Sequence, residues 1–254
     1  MKSIYTLTKE SFLILRRGKL FLSSLVASML VIIFANIASS WGVEEFYRIL
    51  FDIGLLGFDM IGGMTAIIWG TYLIAEAQKD GSVEAQLASP ISRNQWVIAK
   101  FLSLTLALSL LSCLLVIFWQ LLMLLNNFGW LSKLSYIFVV HTLGWFVLGS
   151  CALFFSTFCE GTTALFCSLC LWGMGLLSRV VFDSLPQDVD VISANIIGFI
   201  YKIWDLQFFN ISFTASTSAN YSLEQFLWTI TYGLSILLTL LCASCVTFAR
   251  KDIN

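Results

Sequence analysis

The sequence predicts an all-α integral membrane protein. Hydrophobic residues make up 59% of the 254 residues and charged residues only 11%, whereas roughly a quarter of the residues in soluble domains are charged. The mean hydropathy is +0.89. Charge-free runs long enough to cross a hydrocarbon layer of about 30 Å recur along the chain. Because lone strands would leave backbone groups unpaired in lipid, these runs are predicted to be helices.

Six membrane-spanning helices are predicted from these runs. A helix needs about 20 residues to cross the hydrocarbon layer at about 1.5 Å per residue, and each run provides a stretch of that order. The predicted spans lie near 20–39, 53–75, 101–124, 135–158, 162–182 and 226–248. No internal repeat or second folding unit is visible in the sequence, so residues 1–254 are interpreted as a single transmembrane domain.

Two segments outside the spans have a mixed polar and apolar character. Residues 3–17 combine apolar side chains with a Lys-Glu pair and an Arg-Arg pair, a pattern that suits a helix lying at the membrane surface. Residues 183–225 form the longest segment between spans, and 196–213 within it is rich in Ile, Phe, Tyr and Trp. It is too short and polar to span, so short re-entrant or interfacial helices are predicted before the sixth span.

The distribution of positive charge predicts that both ends of the chain are cytoplasmic. With the N-terminus inside, ten of the 14 Lys and Arg residues fall on the cytoplasmic side and four on the outer side. Cytoplasmic loops of membrane proteins carry this excess. The formal net charge of −1 and the lack of a basic cluster indicate no nucleic-acid partner.

The polar segment 76–100 separates the second and third spans. Charged side chains are costly in lipid, so the segment is predicted to project into water. Gly81 and Pro90 bracket residues 82–89, which are predicted to form a short helix, because Pro forces the residue before it out of the helical region.

Local capping patterns support two helices in this segment. Ser82 suits the N-cap of the first helix, and Glu84 lies in its first turn, where a negative charge favours the helix dipole. Ser92 is predicted to cap a second helix, which starts at Arg93 and continues into the third span through Lys100.

In order and spacing these residues resemble the cytoplasmic loop of the ABC-2 permeases, the membrane subunits of one class of ATP-driven exporters. In that family an acidic residue ends the second span, a Gly-Ser/Thr-x-Glu helix leads into Pro-x-Ser-Arg, and a Lys opens the third span. The matching elements here are Glu76, Gly81-Ser82-Val83-Glu84, Pro90-Ile91-Ser92-Arg93 and Lys100. A surface helix before the first span and short re-entrant helices before the last one are also family features.

The resemblance implies a permease subunit that couples ATP hydrolysis on a separate ATPase to export of an unidentified substrate. Residues 82–89 would dock on that ATPase as a coupling helix. The residues expected to serve coupling or loop geometry are Glu76, Gly81, Ser82, Glu84, Pro90, Arg93 and Lys100. It further implies two ATPase copies, a second permease copy (identical or homologous) and a bacterial inner membrane.

No catalytic residue and no cofactor of its own is expected on this chain. A phosphate-binding loop requires Gly-Lys followed by Ser or Thr, and the only Gly-Lys, Gly18-Lys19, is followed by Leu20. ATP and Mg²⁺ are therefore expected on the partner ATPase.

Two other functions remain open at this stage. One is a six-span channel or secondary transporter that works without ATP, and the other is a membrane scaffold or assembly factor with the same fold. The substrate is unspecified, although the apolar spans favour a lipid, a hydrophobic drug or a peptide over a sugar.

Asp59 is the single charge in the predicted span 53–75. A carboxylate there costs a few kcal/mol unless it faces protein or water. Asp59 either lines a substrate path or gate, or lies in the outer interface because the span begins later, near Gly57. Gly54, Gly57, Gly62 and Gly63 are expected to permit close helix contacts around it.

His141 and the seven cysteines are interpreted as structural. His141 is the only histidine, so chemistry that needs two is excluded, and it is expected at the outer interface. Two C-x2-C pairs, Cys167/Cys170 and Cys242/Cys245, could bind a soft metal such as Cu(I). Cysteine also packs readily as a small hydrophobe, and no metal site is assigned.

Overall fold

The computed structural model describes residues 2–41, 46–87, 91–126, 133–184, 196, 198, 204–209 and 222–250. Nearly all of this part of the chain is helical, which confirms the all-α class. The elements are α1 (Lys2–Arg17), α2 (Lys19–Ser39), α3 (Phe46–Lys79), α4 (Ser82–Leu87), α5 (Arg93–Leu125), α6 (Lys133–Phe158), α7 (Gly161–Asp183), a 3-10 helix (Leu206–Phe209) and α8 (Leu223–Arg250).

Five of the described helices, α2, α3, α5, α6 and α8, are long and apolar enough to cross a membrane. The chain is therefore a multi-pass membrane protein. α7 contains a shorter apolar stretch, Gly161–Leu177, so the sixth crossing stays a prediction. α3 begins at Phe46 and α5 at Arg93, well before the predicted starts at 53 and 101. Charge-free runs underestimate helix length because charged residues in the headgroup region or in water do not end a helix.

α6 lies at the centre of the helix bundle. In its most apolar 18-residue stretch, 83% of the residues are buried inside the protein, compared with 22% in the corresponding stretches of α2 and α8. Glycines let α3 approach its neighbours closely, as predicted. A Cβ on Gly62 would lie 2.0 Å from the Trp145 ring of α6, and one on Gly70 would lie 2.4 Å from the Gly149 carbonyl oxygen. Small residues of this kind allow helices to pack tightly where no hydrophobic force drives them together.

Both described ends of the chain lie at the same end of the bundle, here called the base. A compact apolar group, the base cluster, joins α1, α3, α4, α5, α6 and α8 there. It consists of Leu7, Ile74, Ala77, Val83, Trp96, Val97, Ala99, Leu153 and Phe248. α3 and α5 are 34 and 33 residues long, or about 50 Å each, so both extend well beyond a hydrocarbon layer of about 30 Å.

α1 is amphipathic, as its sequence predicts. Leu7 and Leu15 are buried against the bundle, whereas the Lys-Glu and Arg-Arg pairs are exposed. α1 packs mainly on the first turns of α5, where the Thr8 hydroxyl donates to the Ala99 carbonyl oxygen at 3.4 Å. The N-terminal helix is thus attached to the helix that leads out of the polar segment.

Candidate functional site

The polar segment folds into a short hairpin at the base. Gly81 connects α3 to α4 with φ of +66°, a left-handed conformation that favours glycine over residues with a Cβ. α4 covers Ser82–Leu87, six of the eight predicted residues, and Pro90 lies outside the described residues. The expected N-cap role of Ser82 is wrong: Ser82 is the first helical residue, and its hydroxyl donates back to the Ala77 carbonyl oxygen at 3.2 Å.

α4 is fixed on the bundle through one apolar and one polar contact. Val83 is buried in the base cluster. The Trp96 indole N–H of α5 donates to Gln86 Oε1 at 2.7 Å. The Trp96 ring also stacks on Phe248 of α8, with ring centroids 4.9 Å apart and planes 11° from parallel. A displacement of α4 would therefore reach α5 and α8 through a fully buried aromatic pair.

The start of α5 agrees with the predicted capping. The Ser92 hydroxyl accepts from the Gln95 backbone N–H at 3.3 Å, and Gln95 Oε1 accepts from the Ser92 N–H at 3.1 Å, which is a complete capping box. Arg93 Nη1 donates to the Ala249 carbonyl oxygen at 3.2 Å. This bond ties the first residue of α5 to the C-terminal turn of α8, where a cation suits the helix dipole.

Lys100 faces inward rather than toward a partner. Only 5% of it is exposed, and its ammonium donates to the Ser11 hydroxyl of α1 at 3.1 Å. The same ammonium lies 5.2 Å from the centroid of the Trp96 ring, within cation–π range. Lys100 thus holds α1 against α5 and cannot touch another protein directly.

Glu76 lies near the end of α3, on a cleft of about 780 Å³ between α3 and the start of α7. Tyr72, one turn earlier on α3, lines the same cleft. Lys79 and Glu160 also line this cleft, so its walls carry charges of both signs.

Asp59 and His141 form a buried hydrogen-bonded pair in the other half of the bundle. Asp59 is 17 residues before Glu76 on α3, or about 26 Å along the helix axis. Its Oδ1 lies 2.6 Å from Nδ1 of His141 on α6. The His141 side chain is 0% exposed and that of Asp59 31%. The ring therefore lies inside the bundle, where the α3 carboxylate compensates its burial, and the expected position of His141 at the outer membrane interface stays a prediction.

The pair borders a cavity of about 420 Å³ between α3, α6, α7 and the 3-10 helix. We call it the Asp59 cavity. Its polar groups come from Asp52, Asp59, His141 and Gln207, and its other walls are apolar or aromatic. The remaining lining residues are Leu56, Met60, Gly144, Trp145, Leu148, Trp172, Leu176, Leu206 and Phe209.

The 3-10 helix closes one side of this cavity by binding to carbonyl groups of α7. The Trp204 indole N–H donates to the Leu171 carbonyl oxygen at 2.9 Å, and Gln207 Nε2 donates to that of Leu176 at 2.6 Å. Leu171 is ten residues into α7, about 15 Å from its start at the base. The segment therefore reaches into the bundle. Ile196 and Gly198 are helical, but most of 183–225 lies outside the described residues, so the re-entrant helices before the sixth span stay a prediction.

Comparison with known families agrees with this arrangement. A family model described as ABC-2 family transporter protein matches residues 8–252. The chain belongs to the ABC-2 transporter family. It is accordingly a permease subunit of an ABC transporter, and it associates with an ABC ATPase partner. A search of curated proteins finds no match.

In this ABC-2 permease the predicted site residues fall into two groups. Gly81, Ser82, Glu84, Arg93 and Lys100 lie together at the base, although the Glu84 side chain is outside the described part. Asp59 is far from them. His141 and Gln207 were not predicted as site residues; a lone His in an apolar helix could have suggested a partner for the carboxylate inside a span.

The cysteines of the permease do not converge in the part of the chain that the structure describes. All seven are free thiols, and Cys170 and Cys242 are exposed on their helices. No group of three or more His, Cys, Asp and Glu among the described residues is arranged to hold a metal ion.

Proposed function

We propose that this permease exports its substrate by coupling α4 to nucleotide-driven closure of two ATPase subunits. One observation carries the proposal: α4 lies at the base and is bound to the Trp96–Phe248 pair, which connects it to α5 and α8. A push on α4 would thus become a movement of α5 and α8. ATP and Mg²⁺ would bind to the ATPase subunits, and two permease copies would form the path.

Six crossings with cytoplasmic termini are the topology we propose. The base brings together α1, α4 and the C-terminal turn of α8, through the Lys100–Ser11 and Arg93–Ala249 contacts. An odd number of crossings could not return the chain to the end from which it started, so α7 is required as the sixth. The excess of Lys and Arg at this end supports a cytoplasmic base. A bacterial inner-membrane location is proposed from the family.

The coupling role is tested by reversing a charge on α4. Glu84→Arg is introduced into the full-length permease, and the cognate ABC ATPase is co-expressed. We expect its affinity for the permease to fall at least about tenfold, because a like charge replaces an attractive one at the interface. Glu224→Arg, in the first turn of α8 at the opposite end, is the matched control and should leave affinity and stimulated ATP hydrolysis unchanged.

Unchanged co-purification and unchanged stimulated ATPase activity of Glu84→Arg would count against the proposal. The sidedness is tested separately with an epitope inserted after Gly81. Protease should remove this epitope in inverted membrane vesicles and leave it intact in right-side-out vesicles, and the reverse pattern would overturn the topology.

A further inference from the structure

We propose that the Asp59 cavity binds an amphiphile that carries a protonated amine. The ammonium would contact the Asp59 carboxylate, and the apolar body would lie against the aromatic walls. This inference rests on the proposed function, because it assigns a substrate class to the same permease.

The charges around the cavity favour a cation. Asp59 and Asp52 contribute two carboxylates, and none of the lining residues that the structure describes is Lys or Arg. Arg48 is not among the lining residues. Its Nε lies 3.8 Å from Asp52 Oδ2, and both side chains are about half exposed. Asp59 is therefore the inner, less exposed acceptor, and an anionic ligand would meet it without a compensating charge.

The hydrogen-bonding atoms favour a ligand with N–H donors. A neutral His141 that donates from Nδ1 to Asp59 presents a lone pair at Nε2. His141 is 1% exposed, and its Nε2 has no hydrogen-bond partner among the described residues. The second oxygen of Asp59 is an acceptor as well. Trp145 also has a buried Nε1 without a hydrogen-bond partner among the described residues, but Trp119 shares this property outside the cavity, so the indole N–H does not itself specify a ligand.

The size and the walls of the cavity fit an apolar body. Its volume of about 420 Å³ lies within the range of roughly 300–1,000 Å³ that is typical of sites for drug-sized molecules. Trp145, Trp172 and Phe209 supply aromatic faces, which attract cations as well as apolar groups. Leu56 and Met60, at 60% and 37% exposed, mark a side on which an amphiphile could enter from the bilayer.

The test compares three ligands of one shape on the purified full-length permease in detergent, without the ATPase. These are 4-phenylbutylamine, 4-phenylbutanol and 4-phenylbutyrate, measured by equilibrium dialysis at neutral pH. The wild type should bind the amine most tightly. Asp59→Asn should weaken amine binding about 10- to 100-fold, the range for hydrogen bonds to charged groups, and alcohol binding less than about threefold. Asp183→Asn, an exposed carboxylate at the end of α7, should change neither.

A second pair of variants keeps the test decisive if Asp59→Asn fails to fold. Met60→Lys places a cation on the cavity wall, and Met64→Lys places one a turn away on the same exposed face, outside the lining. Met60→Lys should abolish amine binding and Met64→Lys should preserve it. Equal binding of amine and carboxylate by the wild type, or equal effects of the two lysine variants, would overturn the proposal.

His141 acts here as a positioning residue for Asp59. His141→Leu should lower the ratio of amine to alcohol affinity, and His141→Asn, which retains a donor near Nδ1, should restore most of it. A purely structural role would change both affinities together and leave the ratio unaltered. Because no ATPase is present, failure of these tests with intact Glu84-dependent coupling would reject the substrate class and leave the permease function standing.

Discussion

The base and the Asp59 cavity use polar groups in opposite ways. At the base the polar side chains bond to groups on other helices: Lys100 to Ser11, Arg93 to Ala249, and Trp96 to Gln86. In the Asp59 cavity a carboxylate remains partly exposed, and its histidine partner keeps a buried nitrogen without a described acceptor or donor.

This difference suits the base to transmit movement between helices and the Asp59 cavity to bind a ligand. Bonds that cross between helices resist relative sliding, so the base can carry a displacement from α4 into α5 and α8. Unpaired polar atoms beside open volume stabilise a ligand that completes their hydrogen bonds. The two regions lie in opposite halves of α3 and share it, which makes this helix the direct connection between them.

Trp96→Ala should cause the largest loss of stability. Trp172→Ala tests whether the cavity wall is packed less tightly than the base. Trp96 is 0% exposed and packed on all sides, so its loss should cost about 3–5 kcal/mol of unfolding free energy. Trp172 borders the cavity and already lacks contacts on one side, so its loss should cost less than about 3 kcal/mol. Titration with SDS in bicelles measures both. Equal costs would show that the cavity wall is packed as tightly as the base.

Lys100→Met should loosen α1 without disturbing the cavity. The change keeps the length of the side chain but removes the ammonium that binds Ser11, at a cost of about 1–3 kcal/mol. Hydrogen–deuterium exchange should accelerate across α1 and remain unchanged in the part of α6 around His141. Faster exchange at both places would mean that the two regions unfold as one unit.

Arg93→Ala should have the smallest effect on stability. Its bond to the Ala249 carbonyl oxygen is exposed, so removing it should cost about 0.5–1.5 kcal/mol. Exchange should rise only in the last turn of α8. Arg93→Lys serves as the comparison, since it keeps the charge near the helix C-terminus and should recover part of the protection. Unaltered exchange in the alanine variant would show that Arg93 does not help to hold the end of α8 against α5.

Much of the base could be predicted because its signals are local. The amphipathic pattern of α1, the capping box of Ser92 and Gln95 and the glycine at the start of α4 depend on residues a few positions apart. The Ser82 prediction failed because the helix starts at Ser82 itself, so this residue is the first of α4 and not its cap.

The Asp59 cavity could not be predicted in the same way. Asp59 and His141 are 82 residues apart, and either could have faced lipid, water or protein. An all-helical membrane chain with a polar hairpin follows from local patterns alone, because hydrophobicity and capping are properties of short segments. Which polar groups meet depends on the packed structure, because the rotation of each helix and the glycines that set its distance from the next are not local properties.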